Sequence, residues 1–369
     1  MRILLTGGGT AGHLTPLIAV ANKLKSKLGH EAEFLYIGSG AEMEKRMMAE
    51  AGIRAKSVLA GKLRRYFSPM NFVDFFKAPI GFIQSLWILL LFMPDVIFSK
   101  GGYVAVPIVL AAFLYRIPIL IHESDSTPGL ANQFLSKFAT RIGVAYPSAE
   151  EYFPKNKTAL VGNPIRFEVT DGDPEMLREK LGFTASKKTI LILGGSQGAK
   201  VINDAMVNIL PKLLPYYQII HQTGQSHFET VESKAAYMGV KIGREGYFAT
   251  PFMNANELRD AFALSDLVIS RAGATFITEI AANSKPAILI PIAESANDHQ
   301  RMNAYALARI GAAIVIEETN LGEHMLIDNI NKIFNDDELR RVMVEKIKTF
   351  YHPNAPEIIS NSLVEIARS

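Results

Sequence analysis

Twice along this chain a short aliphatic run meets a cluster of glycines and then a helical pattern. Residues 3–13 read ILLTGGGTAGH and residues 190–200 read ILILGGSQGAK. The helices that follow are read as Pro16 to Leu28 and Val201 to Leu214. A strand, a glycine turn and a helix open a doubly wound α/β domain, so the chain is expected to carry two of them. Further buried-strand candidates follow in each half. The first offers EFLYIG, DVIFS, PILIH, RIGVA and TALVG; the second offers YQIIHQ, a weaker GYFAT, DLVIS, PAILIP and AAIVI. Helical patterns lie between them, as parallel strands with crossover helices require. The seam is placed at Gly162-Asn163-Pro164-Ile165-Arg166, before the polar stretch Thr170 to Glu175. It divides residues 1–163 from residues 164–350, and a last helix over about 351–369 is expected to pack back on the first domain. Two Rossmann-like domains facing one another would leave a cleft at the carboxyl ends of both sheets, where such folds bind ligands.

The bulk numbers narrow the function. A length of 369 residues suits two ordinary domains. There is no cysteine, which excludes disulfides, thiolate metal sites and cysteine nucleophiles. A net charge of +3 makes no case for nucleic acid as a partner. The apolar stretch after Met1 is too short for a signal-peptide core, and no window of about 18 to 20 uncharged apolar residues exists. The expectation is a chain that stays inside the cell and does not span a membrane.

Gly7, Gly9 and Gly12 satisfy G-x-G-x-x-G between strand and helix. Such glycines let backbone approach a diphosphate, whose charge the helix N-terminus stabilises. A nicotinamide or flavin site would want an acid near the end of the second strand. Here that strand ends Tyr36-Ile37-Gly38-Ser39 and the next acid is Glu42, which disfavours a dinucleotide. Gly194-Gly195-Ser196-Gln197-Gly198 repeats the geometry with a hydroxyl and an amide added. Tight strand-to-helix packing explains one such turn; two in facing domains favour anion binding. His13 follows the first turn directly. Positive charge is disfavoured at a helix N-terminus, so a neutral imidazole is expected there, as a general base requires. A histidine that only hydrogen-bonds a phosphate or a loop is the alternative.

Several motifs then fall in one order along the chain. Gly8-Gly9-Thr10-Ala11-Gly12-His13 with Pro16 resembles the GGTGGHxxP opening of the MurG family. Its members are UDP-N-acetylglucosamine:undecaprenyl-pyrophosphoryl-muramoylpentapeptide N-acetylglucosaminyltransferases, which make lipid II from lipid I. Lys100-Gly101-Gly102-Tyr103 is similar to the family's second glycine loop. His122-Glu123-Ser124-Asp125 with Pro128-Gly129-Leu130-Ala131-Asn132 resembles its H-E-x-x…PGLxN segment, and Gly162 to Arg166 its GNPxR linker. In the second half GGSQGA, His221-Gln222-Thr223-Gly224, Arg271-Ala272-Gly273-Ala274 through Glu279, Pro291 and Gln300…Asn303-Ala304 complete the resemblance. Ala11 stands where the family has a glycine, and Ser124-Asp125 where some members have Gln-Asn.

The resemblance implies a GT-B architecture, a UDP-N-acetylglucosamine donor held mainly by the second domain, and a lipid I acceptor. Gly273, Ala274 and Thr275 would open a helix toward the diphosphate, with Thr10, Ala11, Gly12, Arg166 and Ser196 also contacting substrate. Glu279 would accept from ribose hydroxyls, Gln300 would hold the sugar, and Met253 would flank uracil through its backbone. His13 or Asp125 would take the acceptor's proton in an inverting transfer with an oxocarbenium-like transition state. No cofactor or metal is called for: Asp171-Gly172-Asp173 has a metal-binding spacing, but beside Pro174 it reads as a turn and helix cap. Lys62, Arg64 and Arg65 precede Phe67, Phe72, Phe75, Phe76 and the apolar run Ile80 to Met93 with Trp87. Basic residues beside aromatics fit an anionic membrane surface, here the cytoplasmic face, with Leu86 and Leu90 expected in the core. A UDP-N-acetylglucosamine 2-epimerase, a non-catalytic nucleotide-sugar binder and a transferase using another lipid acceptor are the rival readings.

Overall fold

The aliphatic runs become the strands of two parallel sheets. A computed structural model describes residues 1–8, 11–61, 69–195, 198–293 and 298–368, with the backbone alone at 11, 69–76 and 167. The described chain divides into two compact units, Met1–Arg166 with His352–Ser369, and Phe167–Tyr351.

The first unit holds strands β1 (Arg2–Thr6), β2 (Glu33–Gly38), β3 (Arg54–Ser57), β4 (Val96–Ser99), β5 (Ile119–Glu123), β6 (Arg141–Val144) and β7 (Thr158–Leu160). They pair in the order β3-β2-β1-β4-β5-β6-β7, every pair parallel. Helices α1 (Ala11–Leu28), α2 (Glu42–Glu50), α3 (Pro69–Phe92), α4 (Ala105–Leu114) and α5 (Leu130–Leu135) lie between them. Ile3, Leu4 and Leu5 are all buried, because helices cover both faces of a parallel sheet.

Three departures from the sequence reading have physical causes. Helix α1 begins at Ala11, so Pro16 lies inside it instead of opening it. Strand β3 reads RAKS and is exposed at all four positions, an edge strand without an apolar signal. On α3 the buried stripe is Gly81, Ser85 and Leu89, spaced by four, whereas Leu90 points outward and Leu86 is half-buried. Gly81 sits in that stripe because a Cβ there would lie 1.7 Å from the Leu59 carbonyl oxygen.

The second unit holds β8 (Lys188–Leu193), β9 (Tyr217–Gln222), β10 (Tyr247–Thr250), β11 (Leu267–Ser270), β12 (Ala287–Leu289) and β13 (Ala313–Val315), ordered β10-β9-β8-β11-β12-β13 and parallel throughout. Its helices are α6 (Pro174–Leu181), α7 (Lys200–Leu213), α8 (Phe228–Tyr237), α9 (Ala255–Leu264), α10 (Ala274–Ala282), α11 (His299–Arg309), α12 (Glu323–Asn335) and α13 (Asp337–Lys348). Asp173 caps α6, accepting from the backbone N–H groups of Glu175 and Met176 at 3.0 Å each. Asp171 takes a left-handed turn at φ 58°. The D-x-D stretch is thus a turn and a cap.

The chain ends in α14 (Ala355–Arg368), which packs on α1 in the first unit. Ile359, Leu363 and Ile366 fall on one face and join the core of β1 and α1. Each such burial is worth about 1.5–3 kcal/mol. Lys23 of α1 and Glu357 of α14 add an ion pair at 2.5 Å.

Candidate active site

In an open parallel sheet the ligand position is set where strand order reverses, at the carboxyl ends of the strands flanking that point. In the first unit β1 pairs with both β2 and β4; in the second β8 pairs with both β9 and β11. The loops leaving β1 and β4, and those leaving β8 and β11, therefore flank the ligand positions, and the loops leaving β5 and β12 border them.

In the first unit the turn after β1 meets the loop after β4. A Cβ on Gly7 would lie 2.8 Å from the Lys100 Cβ, so only glycine allows that approach. Gly101, at φ 80°, has the same need: a Cβ there would stand 2.0 Å from Asn132 Oδ1. The Tyr36 phenol donates to the Gly7 carbonyl, and burial with the Glu44 charge pushes that phenol up from its ordinary pKa. Glu44 is the acid that the sequence reading did not place at the end of β2. Its Oε2 accepts from the backbone N–H of Ser39 at 2.8 Å and of Gly40 at 3.1 Å, so it closes that loop.

The end of β5 carries a buried polar cluster. His122, Glu123 and Ser124 are buried, and Asp125 is half-buried just beyond them. Glu123 accepts from the Asp125 backbone N–H at 3.0 Å, the Gly129 N–H at 3.2 Å and Asn132 Nδ2 at 2.9 Å. Burial and the adjacent Asp125 push the Glu123 carboxyl up, against the pull of those donors. His122 Nε2 donates to the Gly162 carbonyl at 2.8 Å, since a carbonyl can only accept. Its Nδ1 is then the bare nitrogen, and it faces Lys100 Nζ at 2.6 Å. Burial, with the lysine charge, holds His122 well below its ordinary pKa and therefore neutral. His13 and Gly12 lie in the first turn of α1, both half-buried. Thr10 lies outside the described residues, as does the side chain of Ala11. Arg166, half-buried, is the last residue of this unit's longer segment.

In the second unit Gly273 is the N-cap of α10 and brings no side chain of its own to cap that helix. Ala274 and Thr275 open it, and Glu279 is buried about a turn and a half along. No acid stands in the first turn of α10 to offset its positive end. Arg271 is turned aside: its guanidinium donates to the Ile290 carbonyl at 3.1 Å and pairs with Glu318 at 2.5 Å. Gln300, in the first turn of α11, accepts from the Ile292 N–H at 3.3 Å and so ties α11 to the loop after β12. Met253 is buried after β10, its N–H donated to Gln222 Oε1 at 3.1 Å, while Gln222 Nε2 reaches the Gly195 carbonyl at 3.4 Å. Gln222 thereby joins Met253 to the glycine turn after β8. Ser196, on that turn, lies outside the described residues.

Behind this loop runs a neutral relay. Asn203 Nδ2 donates to the Thr223 carbonyl at 2.9 Å, which leaves its Oδ1 to accept from His221 Nε2 at 3.0 Å. His221 Nδ1 then accepts from the Tyr247 hydroxyl at 3.1 Å. Burial pushes His221 down to about 3. Sequence reasoning named His221 and Gln222 only as a matching motif; that they link elements needed the fold. Among the described residues no group of three His, Asp or Glu side chains could hold a metal.

Residues 3–144 match the glycosyltransferase family 28 N-terminal domain and residues 189–368 its C-terminal domain. The UDP-N-acetylglucosamine–N-acetylmuramyl-(pentapeptide) pyrophosphoryl-undecaprenol N-acetylglucosamine transferase of Lachnoclostridium phytofermentans is 39% identical over 366 residues, 99% of each chain. The crystal structure of Acinetobacter baumannii MurG superposes with a TM-score of 0.75 at 26% identity, covering 99% of each chain. A UDP-GlcNAc 2-epimerase from Neisseria meningitidis shares the fold, with a TM-score of 0.68, 99% of this chain and 100% of that one covered, but only 14% identity. The chain belongs to the family of UDP-N-acetylglucosamine–N-acetylmuramyl-(pentapeptide) pyrophosphoryl-undecaprenol N-acetylglucosamine transferases, with the two domains of glycosyltransferase family 28.

Proposed function

We propose that this protein moves N-acetylglucosamine from UDP-N-acetylglucosamine to the muramyl sugar of lipid I, giving lipid II, with inversion at the anomeric carbon. The observation that carries the reading is 39% identity maintained over 99% of both chains with a transferase of that name. In this reading the second unit holds the donor. The N-terminus of α10, opened by Gly273, Ala274 and Thr275, stabilises the diphosphate as negative charge develops on it. Glu279 accepts from the ribose hydroxyls, Gln300 from the sugar hydroxyls, and the Met253 backbone borders the uracil. Ser196, Thr10, Ala11, Gly12 and Arg166 complete the substrate contacts.

The first unit serves the acceptor. As the acceptor's sugar hydroxyl attacks the anomeric carbon, its proton passes to His13 or to Asp125, and the bond to UDP breaks. His13 follows β1, which flanks the switch point, and Asp125 follows β5, the next strand beyond β4, so both lie toward the carboxyl end of one sheet, which supports a shared task. Membrane association follows from the acceptor's lipid and from α3, which exposes Ile80, Ile83, Trp87 and Leu91 along successive turns. Phe113 and Leu114, at the end of α4, extend the exposed apolar surface, and Tyr115 OH reaches the Leu86 carbonyl at 3.4 Å. The basic and aromatic residues Lys62, Arg64, Arg65 and Phe67 lie outside the described residues, as do the side chains of Phe72, Phe75 and Phe76. No helix among the described residues is long and apolar enough to cross a membrane, so attachment at the cytoplasmic surface would be peripheral.

The test is UDP release from UDP-N-acetylglucosamine with and without a soluble lipid I analogue. Release that requires the analogue supports transfer. Release without it, accompanied by the C2 epimer of the donor sugar, overturns it.

A further inference from the structure

Lys100 opens the second glycine loop, but neither the fold nor that motif explains why a lysine is enclosed there. It follows β4, its backbone N–H is tied to the Thr6 carbonyl at 2.8 Å, and the residue is only 2% exposed. The backbone at Gly7 passes so near that any Cβ there would lie 2.8 Å from the Lys100 Cβ. Its Nζ ends between His122 Nδ1, at 2.6 Å, and Ser124 Oγ. An ammonium has three donors and no acceptor. The His122 tautomer fixed by the Gly162 carbonyl and the Ser124 lone pairs are both acceptors, so the cluster is arranged to receive a cation. A buried cation costs stability that an apolar side chain of equal length would not, which makes a purely packing role a poor account. Buried charges of this kind concentrate where a site needs them.

We propose that Lys100 is a positioning residue for acceptor activation: its ammonium anchors Ser124 and His122 and through them fixes the pose of the turn that carries Asp125. This rests on the transfer reading above. The groups around it are named by the fold. His122, Glu123 and Asp125 face it from β5 and the turn beyond, and Asp125 also acts on Tyr146 after β6. Across Gly7 stand Tyr36 of β2, Glu44 of α2 and Tyr103. Burial pulls Lys100 down to about 8 against the attraction of Glu123 and Asp125. The charge that orders the segment is therefore present below that pH and lost above it.

The experiment measures kcat/KM for a soluble lipid I analogue from about pH 7 to about 9.5 at saturating UDP-N-acetylglucosamine, a quantity that reports the ionisations of the donor-loaded enzyme before the acceptor binds. In the unaltered enzyme it should fall above about pH 8. Lys100→Met should lower it about a hundredfold at neutral pH, the scale of a misplaced reacting group, and remove the alkaline limb. The KM for the donor should change by less than about threefold, as expected of a group that acts on one substrate only. Lys100→Arg should recover part of the activity and keep it above the limb, because a guanidinium stays charged. A purely structural lysine would lower donor and acceptor parameters together and leave the limb in place, which would overturn the proposal. If Lys100→Met does not fold, Ser124→Ala is read instead: loss confined to the acceptor with the alkaline limb kept supports the proposal, and unchanged acceptor kinetics overturns it. Failure of the transfer reading looks different, since the unaltered enzyme would then show no acceptor-dependent release at any pH.

Discussion

The two switch points solve opposite problems with the same topology. At the first, the loop after β4 and the end of β5 bring together Lys100, His122 and Glu123, all buried and all pushed away from their ordinary pKa values. At the second, charge is neutralised within the scaffold: Arg271 is paired with Glu318, and His221 is held neutral between Asn203 and Tyr247. The helix opening there, α10, has a glycine as its N-cap and no acid in its first turn. A site that moves a proton needs titratable groups under tension; a site that holds a diphosphate needs donors that do not titrate. The contrast supports the proposed division of labour, acceptor chemistry in the first unit and donor recognition in the second.

Four changes would break or sharpen that division. The largest effect is expected of His13→Ala, which should lower turnover about a hundredfold or more while UDP affinity holds, the scale of a lost general base. Steady-state kinetics with calorimetric UDP titration checks it; unchanged turnover would leave Asp125 as the proton acceptor. Glu279→Ala should act in the reverse sense and weaken UDP binding by about 1.5–3 kcal/mol, the worth of a hydrogen bond to a charged group. Equal affinity by calorimetry would remove Glu279 from the ribose.

The third change is pH. His221 ordinarily titrates at 6.5 and is pushed down to about 3, so between those values the unfolded chain binds a proton that the folded chain does not. Stability should therefore be full above about pH 6.5 and fall by up to about 1.4 kcal/mol per unit as pH drops toward 3. Chemical denaturation of the unaltered protein and of Tyr247→Phe, followed from pH 7 downward, checks the slope. A flat profile would mean the relay is not the buried neutral network described. The smallest effect is expected at the surface of α3: Ile83→Ser with Trp87→Ser, both more than 60% exposed, should cut co-sedimentation with anionic vesicles severalfold and leave the melting temperature within a few degrees. Undiminished sedimentation would place the membrane contact elsewhere.

Much of the fold could be read before any coordinates, because a strand buried on both faces leaves an unmistakable apolar run. Ile3 to Leu5 and Ile190 to Leu193 are such runs, and both became central strands. What escaped followed from the same rule. Arg54–Ser57 is an edge strand with four exposed residues, so nothing apolar marks it. Leu90 was expected inside; the α3 backbone approaches its neighbours through Gly81, Ser85 and Leu89, small or aliphatic residues at a spacing of four, and turns Leu90 out. The candidate site was legible as an order of motifs and no further. A lysine after a strand reads as an ordinary loop residue, and only the approach of Gly7 and the tautomer of His122 reveal that Lys100 is enclosed. Glu44 escaped for a like reason: helix α2 carries it back to the end of β2 from six residues beyond the strand.

The stereochemistry of the product decides whether the protein transfers the sugar in a single displacement. UDP-N-acetylglucosamine and a soluble lipid I analogue would be incubated with the protein and the anomeric configuration of the new bond read by NMR. The account predicts a single product in which the donor's configuration is inverted, as attack by the acceptor hydroxyl in one displacement requires. Retention of configuration, or no new glycosidic bond with the C2 epimer in its place, would contradict it.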